Sequence, residues 1–408
     1  MVSKWAVAVC LLVGLLWLGA QTAWGIFGKE DKGEHWVGTW ACSPELADSD
    51  TLPPAPGFAD STLRQLIHVS VGGAQIRVRF SNAFGKTALT IVAAHVAQPT
   101  GASAIKDGTD KPLTFHGQNS VTIPAGALMY SDPLEFDLPA LSDLAITVYL
   151  HGAPDGVTTH PGSRTTSFLV DGNFVSVPVL PDAHRVDHWY FLNGVDVTGE
   201  TSAESLVVLG DSITDGAKST TNGNDRWTDE LARRLQAERK GVGVLNEGIG
   251  GNRLLLDGLG PNALARFDRD VLAQTTPRWL IVFEGVNDIG TCTKSCNLDS
   301  LSQEIIAAYA QIIARAHSHK IRVYGVTITP FNGFVYYSAD AERARQTVNS
   351  WIRAAGHFDG VIDFDSVTRD PRNPSQLASE DDSGDHLHPA DGGYKMMGDS
   401  VDLKLFSK

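Results

Sequence analysis

The sequence predicts an α/β protein in two parts: an antiparallel, β-sandwich-like domain over residues 36–195, then a three-layer α/β/α domain with a parallel sheet over residues 203–408. Three observations carry this. Residues 36–195 hold short apolar or alternating runs separated by Gly, Pro, Asn and Asp, with no long amphipathic helix. Residues 203–408 alternate continuous apolar runs with stretches of helical periodicity, as expected of a parallel sheet covered on both faces. The change of character falls near residues 195–205. A chain of 408 residues, 42% hydrophobic and 20% charged, is long enough for two domains and a sizeable core.

Residues 1–25 stand apart. A basic start ending in Lys4 leads into an apolar run over 5–18, interrupted only by Gly14, and small residues follow at 19–25 (GAQTAWG). That is the layout of a cleaved secretory signal, and the run is shorter than the ~20 apolar residues of a membrane span. Cys10 lies inside the apolar run after Val9 and does not read as a lipoprotein cysteine. The chain is expected to be secreted, to the periplasm or the medium, with no stable membrane association.

In the β-rich part, strands are expected at 63–71, 75–80, 89–94, 120–123, 134–138 and 144–150. Alternation is clearest in 75–80 (QIRVRF), where Ile76, Val78 and Phe80 share one face and Gln75, Arg77 and Arg79 the other. In the α/β part, strands are expected at 205–210, 242–246, 279–284, 321–329 and 360–364, with helices at 227–239, 301–317 and 342–355.

The net charge of −14 argues against nucleic acid or an anionic membrane as partner, and leaves a neutral polysaccharide open. Without the signal three cysteines remain. Cys292 and Cys296 are close enough to close a small loop, which leaves Cys42 as a buried free thiol. No nearby histidine completes a zinc site, so neither a metal nor another cofactor is expected.

Ligands of parallel sheets bind beyond the carboxyl ends of the strands. The first strand runs into Gly210-Asp211-Ser212-Ile213-Thr214-Asp215-Gly216, which places a serine at the mouth of the sheet, where backbone amides can face an oxyanion; a turn with a capping serine reads the same way. The second runs into Asn246-Glu247-Gly248-Ile249-Gly250-Gly251-Asn252-Arg253, whose glycines let backbone approach a ligand. The third is followed by Gly285-Val286-Asn287-Asp288, with a side-chain amide donor. Near the C-terminus, Asp385-His386-Leu387-His388-Pro389 offers a carboxylate able to orient an imidazole, the base a serine hydroxyl needs to become a nucleophile.

These four segments, in this order, resemble the sequence blocks of the SGNH (GDSL-like) hydrolase superfamily over residues 203–405. The resemblance implies a flavodoxin-like α/β/α hydrolase domain and a serine esterase. Ser212 would be the nucleophile, His388 the base and then the acid, and Asp385 its orienting partner. The oxyanion hole would be the amides of Ser212 and Gly251 with the side chain of Asn287. Gly250 is the neighbour that competes with Gly251, His386 the rival of His388, and Asp211 a structural member of its block. No Gly-x-Ser-x-Gly elbow is present.

The β-rich half resembles, less specifically, a region that precedes the hydrolase domain in some secreted bacterial relatives. Bracing the fold or shaping the cleft is preferred for it over independent sugar binding. The expected activity is hydrolysis of short acyl esters, O-acetyl groups of carbohydrate among them, by a monomer acting on a small-molecule or polysaccharide ester. The alternatives are a lipase or arylesterase with the same triad, a non-catalytic carbohydrate-binding protein on the same scaffold, and an acyltransferase.

Overall fold

Side chains of the strand Glu204–Gly210 alternate between two cores: Leu206 and Val208 face one, Val207 and Leu209 the other. Both faces of a strand can be apolar only where helices cover the sheet on both sides. One layer, with Trp227, Leu231, Tyr394 and Met397, comes from the helices Trp227–Ala237 and Asp391–Ser400. The other, with Ile305, Ile312, Val348 and Ile352, comes from Leu298–Ser318 and Ala339–Arg353. The structure, a computed structural model, describes residues 34–292 and 296–407, so the expected signal over 1–25 lies outside the described residues.

The sheet is parallel and its five strands run in the spatial order Val242–Gly248, Glu204–Gly210, Pro277–Phe283, Arg322–Val326, Gly360–Ile362. Numbered along the chain this is the 2-1-3-4-5 order of flavodoxin-like folds, whose ligand site lies where the order reverses, beside the first and third strands. The strand expected at 321–329 stops at Val326. Beyond it the amide of Asn349 replaces a neighbouring strand, accepting from Ile328 N (2.7 Å) and donating to Ile328 O (2.9 Å), so the apolar run stays buried without a ladder.

The β-rich part has two main antiparallel sheets facing one core. The five-stranded sheet centres on Gly73–Ser81 and Leu192–Thr198, the seven-stranded one on Ser61–His68, Asp143–Leu150 and Leu89–Ala97. Ile76, Val78 and Phe80 meet Leu63, Ile67, Ile91, Ile146 and Val148 between them. The opposite face of that strand is not left to water: Arg79 is 3% exposed and donates to Gln274 (2.7 Å) in the α/β part.

Trp36–Lys408 form one compact unit, and the two parts share close backbone contacts within it. The strand Trp36–Ala41 lies against Val242–Gly248, the edge of the parallel sheet. Gly38 N donates to Ser205 Oγ (3.1 Å), and Val244 N to Ser70 Oγ (2.9 Å). Cys42 is a buried free thiol and Cys292 is bonded to Cys296. Among the described residues no helix is long and apolar enough to cross a membrane.

A methyl group on Gly243 would lie 1.9 Å from the Gly38 carbonyl oxygen, a backbone atom that no side-chain rotation can move. Gly243→Ala should therefore lower unfolding stability by about 1–3 kcal/mol. Urea unfolding of the two proteins checks this, and equal midpoints would show that the junction yields freely.

Candidate active site

The turn after the central strand is built by its own side chains. Asp211 caps the short helix Ser212–Asp215, its carboxylate accepting from Ile213 N (2.9 Å). Gly210 is required because a Cβ there would stand 2.2 Å from Thr214 Oγ1 and 3.0 Å from the Phe283 carbonyl. Ser212 thereby becomes the first residue of the helix, with its N–H in the turn that has no intrahelical acceptor.

Ser212 Oγ lies 2.9 Å from His388 Nε2, and His388 Nδ1 lies 2.8 Å from Asp385 Oδ2. A carboxylate can only accept, so Nδ1 carries the proton and Nε2 of the neutral ring is left to accept from the serine. Asp385 Oδ1 also accepts from the backbone of His388 (2.8 Å) and Leu387 (3.0 Å). Partial burial raises the Asp385 carboxyl, but the His388 N–H groups and Leu387 N–H outweigh it and hold it at about 2. The helix Asp391–Ser400 that follows is fastened to the serine turn by Tyr394 Oη, which donates to Ala217 O (2.7 Å).

Gly251 has φ +71, and neither its N–H nor that of Gly250 makes a backbone hydrogen bond among the described residues. Both therefore remain available as donors, and hydrogen bonding does not choose between them. Asn287, 3% exposed, is pinned at both ends of its amide: Nδ2 donates to Asn252 O (2.9 Å) and Oδ1 accepts from Tyr336 Oη (3.2 Å). One amide hydrogen is left for a ligand.

His386 does not share the serine. It has φ +67, its Nδ1 lies 2.6 Å from Asp382 Oδ2, and its ring packs on Gly333, in the loop that carries Tyr336 and Phe334. Phe334 in turn stands edge-on to His388 with ring centroids 6.5 Å apart. Asp288 accepts from the backbone of Leu254 (2.9 Å) and Leu255 (3.1 Å) and so holds the chain after the glycine segment.

Sequence reasoning missed Tyr336, the buried Arg266 beneath the strand ends, and the pair His160–Asp215 (3.0 Å) that joins the β-rich half to the serine turn. Only the single tyrosine-bearing loop after the fourth strand offered a signal, since ligand loops follow strand ends. Next to the site lies a cleft of about 560 Å³ between residues 45–51 of the β-rich half and the loop 257–261, reaching Gly250 and Asp215. Among the described residues no cluster of His, Cys, Asp or Glu is arranged to hold a metal.

The class is carboxylic ester hydrolase, on the family that the α/β part matches. Residues 208–396 match the GDSL-like Lipase/Acylhydrolase family, and this stretch belongs to it, within the SGNH hydrolase superfamily. Solved structures similar to the chain include a lipolytic protein of the G-D-S-L family from Desulfitobacterium hafniense, at 26% identity and TM-score 0.37, over 48% of this chain and 96% of that one. Others are a GDSL-like lipase from Bacteroides thetaiotaomicron (21%, TM-score 0.39, 50% and 87%) and an acetyl xylan esterase from Geobacillus stearothermophilus (20%, TM-score 0.39, 50% and 95%). No curated protein matches the chain.

Because the folded Asp385 carboxyl is held below its ordinary value of 3.8, at about 2, its contribution to stability is present above pH ~4 and lost as the pH falls toward 2. Wild type should exceed Asp385→Asn in denaturant midpoint at pH 7, with the gap narrowing between pH 4 and pH 2. A gap independent of pH would contradict this assignment of charge.

Proposed function

We propose that the chain is an exported serine esterase that hydrolyses short acyl esters, O-acetyl groups of carbohydrate among them, through an acyl-enzyme on Ser212. The observation that carries the reading is the continuous hydrogen-bonded row from Ser212 through His388 to Asp385 at the carboxyl end of the sheet. In the proposed cycle His388 Nε2 takes the Ser212 proton as Oγ attacks the ester carbonyl, and Asp385 stabilises the imidazolium that forms. The N–H groups of Ser212 and Gly251 and the remaining amide hydrogen of Asn287 receive the oxyanion. His388 returns the proton to the leaving alcohol, then activates water to release the acid.

Export is supported by the N-terminal apolar run and by the Cys292–Cys296 disulfide, which suits an oxidising compartment. A second reading, toward longer acyl chains, is favoured by exposed Leu256 (62%), Leu259 (60%) and Val335 (86%) on the loops flanking the site.

The test is release of p-nitrophenol from acetate, butyrate and palmitate esters by the mature chain and by Ser212→Ala. The reading expects rapid cleavage of the short esters by the wild type alone. Full activity in the variant would remove Ser212 as nucleophile, and a preference for palmitate would favour the lipase alternative.

Asn287→Ala should lower kcat by roughly 10²–10³, the usual cost of one oxyanion donor. Tyr336→Phe should lower kcat in the wild-type background and have little effect in the Asn287→Ala background, because its hydroxyl acts through that amide. Equal losses in both backgrounds would assign Tyr336 a separate role.

A further inference from the structure

Two polar groups of the β-rich half, Glu45 and Arg164, line the cleft. Glu45 begins the two-residue strand Glu45–Leu46, paired with Thr158–Pro161, so its backbone is fixed. The residue is 6% exposed, and what it exposes lines the cleft. Arg164, on the same wall, makes no side-chain hydrogen bond or ion pair among the described residues, and its Nε is buried without an acceptor. Buried polar groups are nearly always paired, so an exception calls for a reason. Arg164 Nε is such an exception, on the wall that also carries the Glu45 carboxyl, and a ligand in the cleft supplies the missing acceptor.

We propose that this cleft is the subsite for the alcohol part of the ester, that this alcohol is a neutral polyol of the sugar class, and that Glu45 and Arg164 hold its hydroxyl groups. The inference rests on the serine-esterase reading of Ser212 and extends it to the leaving group. A carboxyl group takes hydroxyl protons, and a guanidinium donates to hydroxyl and ring oxygens. A hydrocarbon chain would leave Arg164 Nε unsatisfied, at a cost that opposes its binding. An anionic alcohol is disfavoured because the lining also carries Asp48 and Asp257, against the single cation Arg164. Leu259, on the opposite wall, offers apolar surface to the C–H face of a ring. Burial pushes the Glu45 carboxyl up to about 7, so near neutrality it can serve as donor as well as acceptor. The cleft reaches Gly250, one residue before Gly251, and Asp215, three residues after Ser212, so an alcohol held in it lies toward the serine turn.

The experiment compares kcat/KM for acetylated glucose, acetylated glucuronic acid and p-nitrophenyl acetate in the mature chain and in Glu45→Gln and Arg164→Gln, with thermal midpoints recorded for each. The expected result is a wild type that prefers acetylated glucose to the glucuronate. In each variant the ratio of acetylated glucose to p-nitrophenyl acetate should fall about tenfold or more, as for loss of a hydrogen bond to a charged group. An unchanged ratio in both variants overturns the subsite while leaving the esterase reading standing. Faster cleavage of the glucuronate overturns the neutral class. A wild type inactive on all three esters defeats the esterase reading and the subsite with it.

Discussion

The Arg266 guanidinium is fully buried beneath the carboxyl ends of the strands, and the site's geometry depends on how its hydrogens are used. Nε donates to Asn252 Oδ1 (3.1 Å). Nη1 donates to Ser43 Oγ (2.7 Å), Glu247 O (2.6 Å) and Asp270 (3.2 Å), and Nη2 to Gly210 O (3.0 Å) and Glu284 (3.2 Å). Gly210 precedes the Asp211-Ser212 turn, Glu247 opens the glycine segment, and Glu284 precedes Gly285-Val286-Asn287. One planar group thus sets three of the four motif segments at fixed separations. A buried charge is tolerated only when paired and fully hydrogen-bonded, so the cation requires these strand ends as much as they require it. The link continues outward, since Asn252, held by Nε, presents the carbonyl that pins Asn287.

The same requirement explains why the β-rich half cannot be a loosely tethered module. Ser43 contributes its hydroxyl to the Arg266 cluster and donates to Glu247 Oε2 (2.7 Å). Arg226, which opens the helix Trp227–Ala237, donates to the Ser163 carbonyl and to Asp215 O (2.9 Å). His160 places Nδ1 2.8 Å from the Ser43 carbonyl and Nε2 3.0 Å from Asp215 Oδ1. Both partners accept, so both ring nitrogens carry protons and the ring is an imidazolium, stacked on Trp189. Burial opposes that charge, but Asp215, Glu45 and the Ser43 carbonyl prevail and its pKa is raised. A cation from one half is therefore paired with a carboxylate three residues beyond Ser212 in the other.

The legible part of this architecture was the part written in local periodicity. Strand Glu204–Gly210 and its parallel neighbours could be read because an apolar run bounded by helices has few alternative uses. Ser212, Asp385 and His388 stood out through a block pattern whose spacing survives in one sequence, and the structure brings these three side chains together. What stayed hidden depends on contacts between residues tens to hundreds of positions apart. Nothing in the order of residues around His160 says that its ring meets Asp215, 55 positions away, or that Ser43 reaches Arg266, 223 positions away. Arg79 was misleading in another way: alternation marks the face a side chain takes, not whether that face meets water or another part of the chain. The end of the strand at Val326 was hidden because Asn349 satisfies backbone that the pattern assigns to a ladder.

The environments of the carboxyl groups also separate their roles. Burial raises Asp211 to about 7, with the Asp288 and Asp215 carboxylates adding to the shift and the Ile213 N–H and Arg266 opposing it. Burial likewise pushes Glu284 well up, with Asp211 reinforcing it, and raises Asp288 despite the two N–H groups it accepts. Asp270 goes the other way: Arg269 and Arg266 overcome its burial and keep it charged. The carboxyls behind Ser212 are thus pushed in both directions: burial raises Asp211, Glu284 and Asp288, while two guanidinium groups hold Asp270 down. That matters for the proposed chemistry, where a negative charge must develop on the substrate beside Ser212 and nearby carboxylates would oppose it. The carboxylate that the mechanism needs in ionised form, Asp385, sits instead on a partly exposed loop, held at about 2 by N–H donors. The upward shifts behind the serine and the downward shift at Asp385 separate the acids that resist ionisation from the one the proposed triad needs ionised.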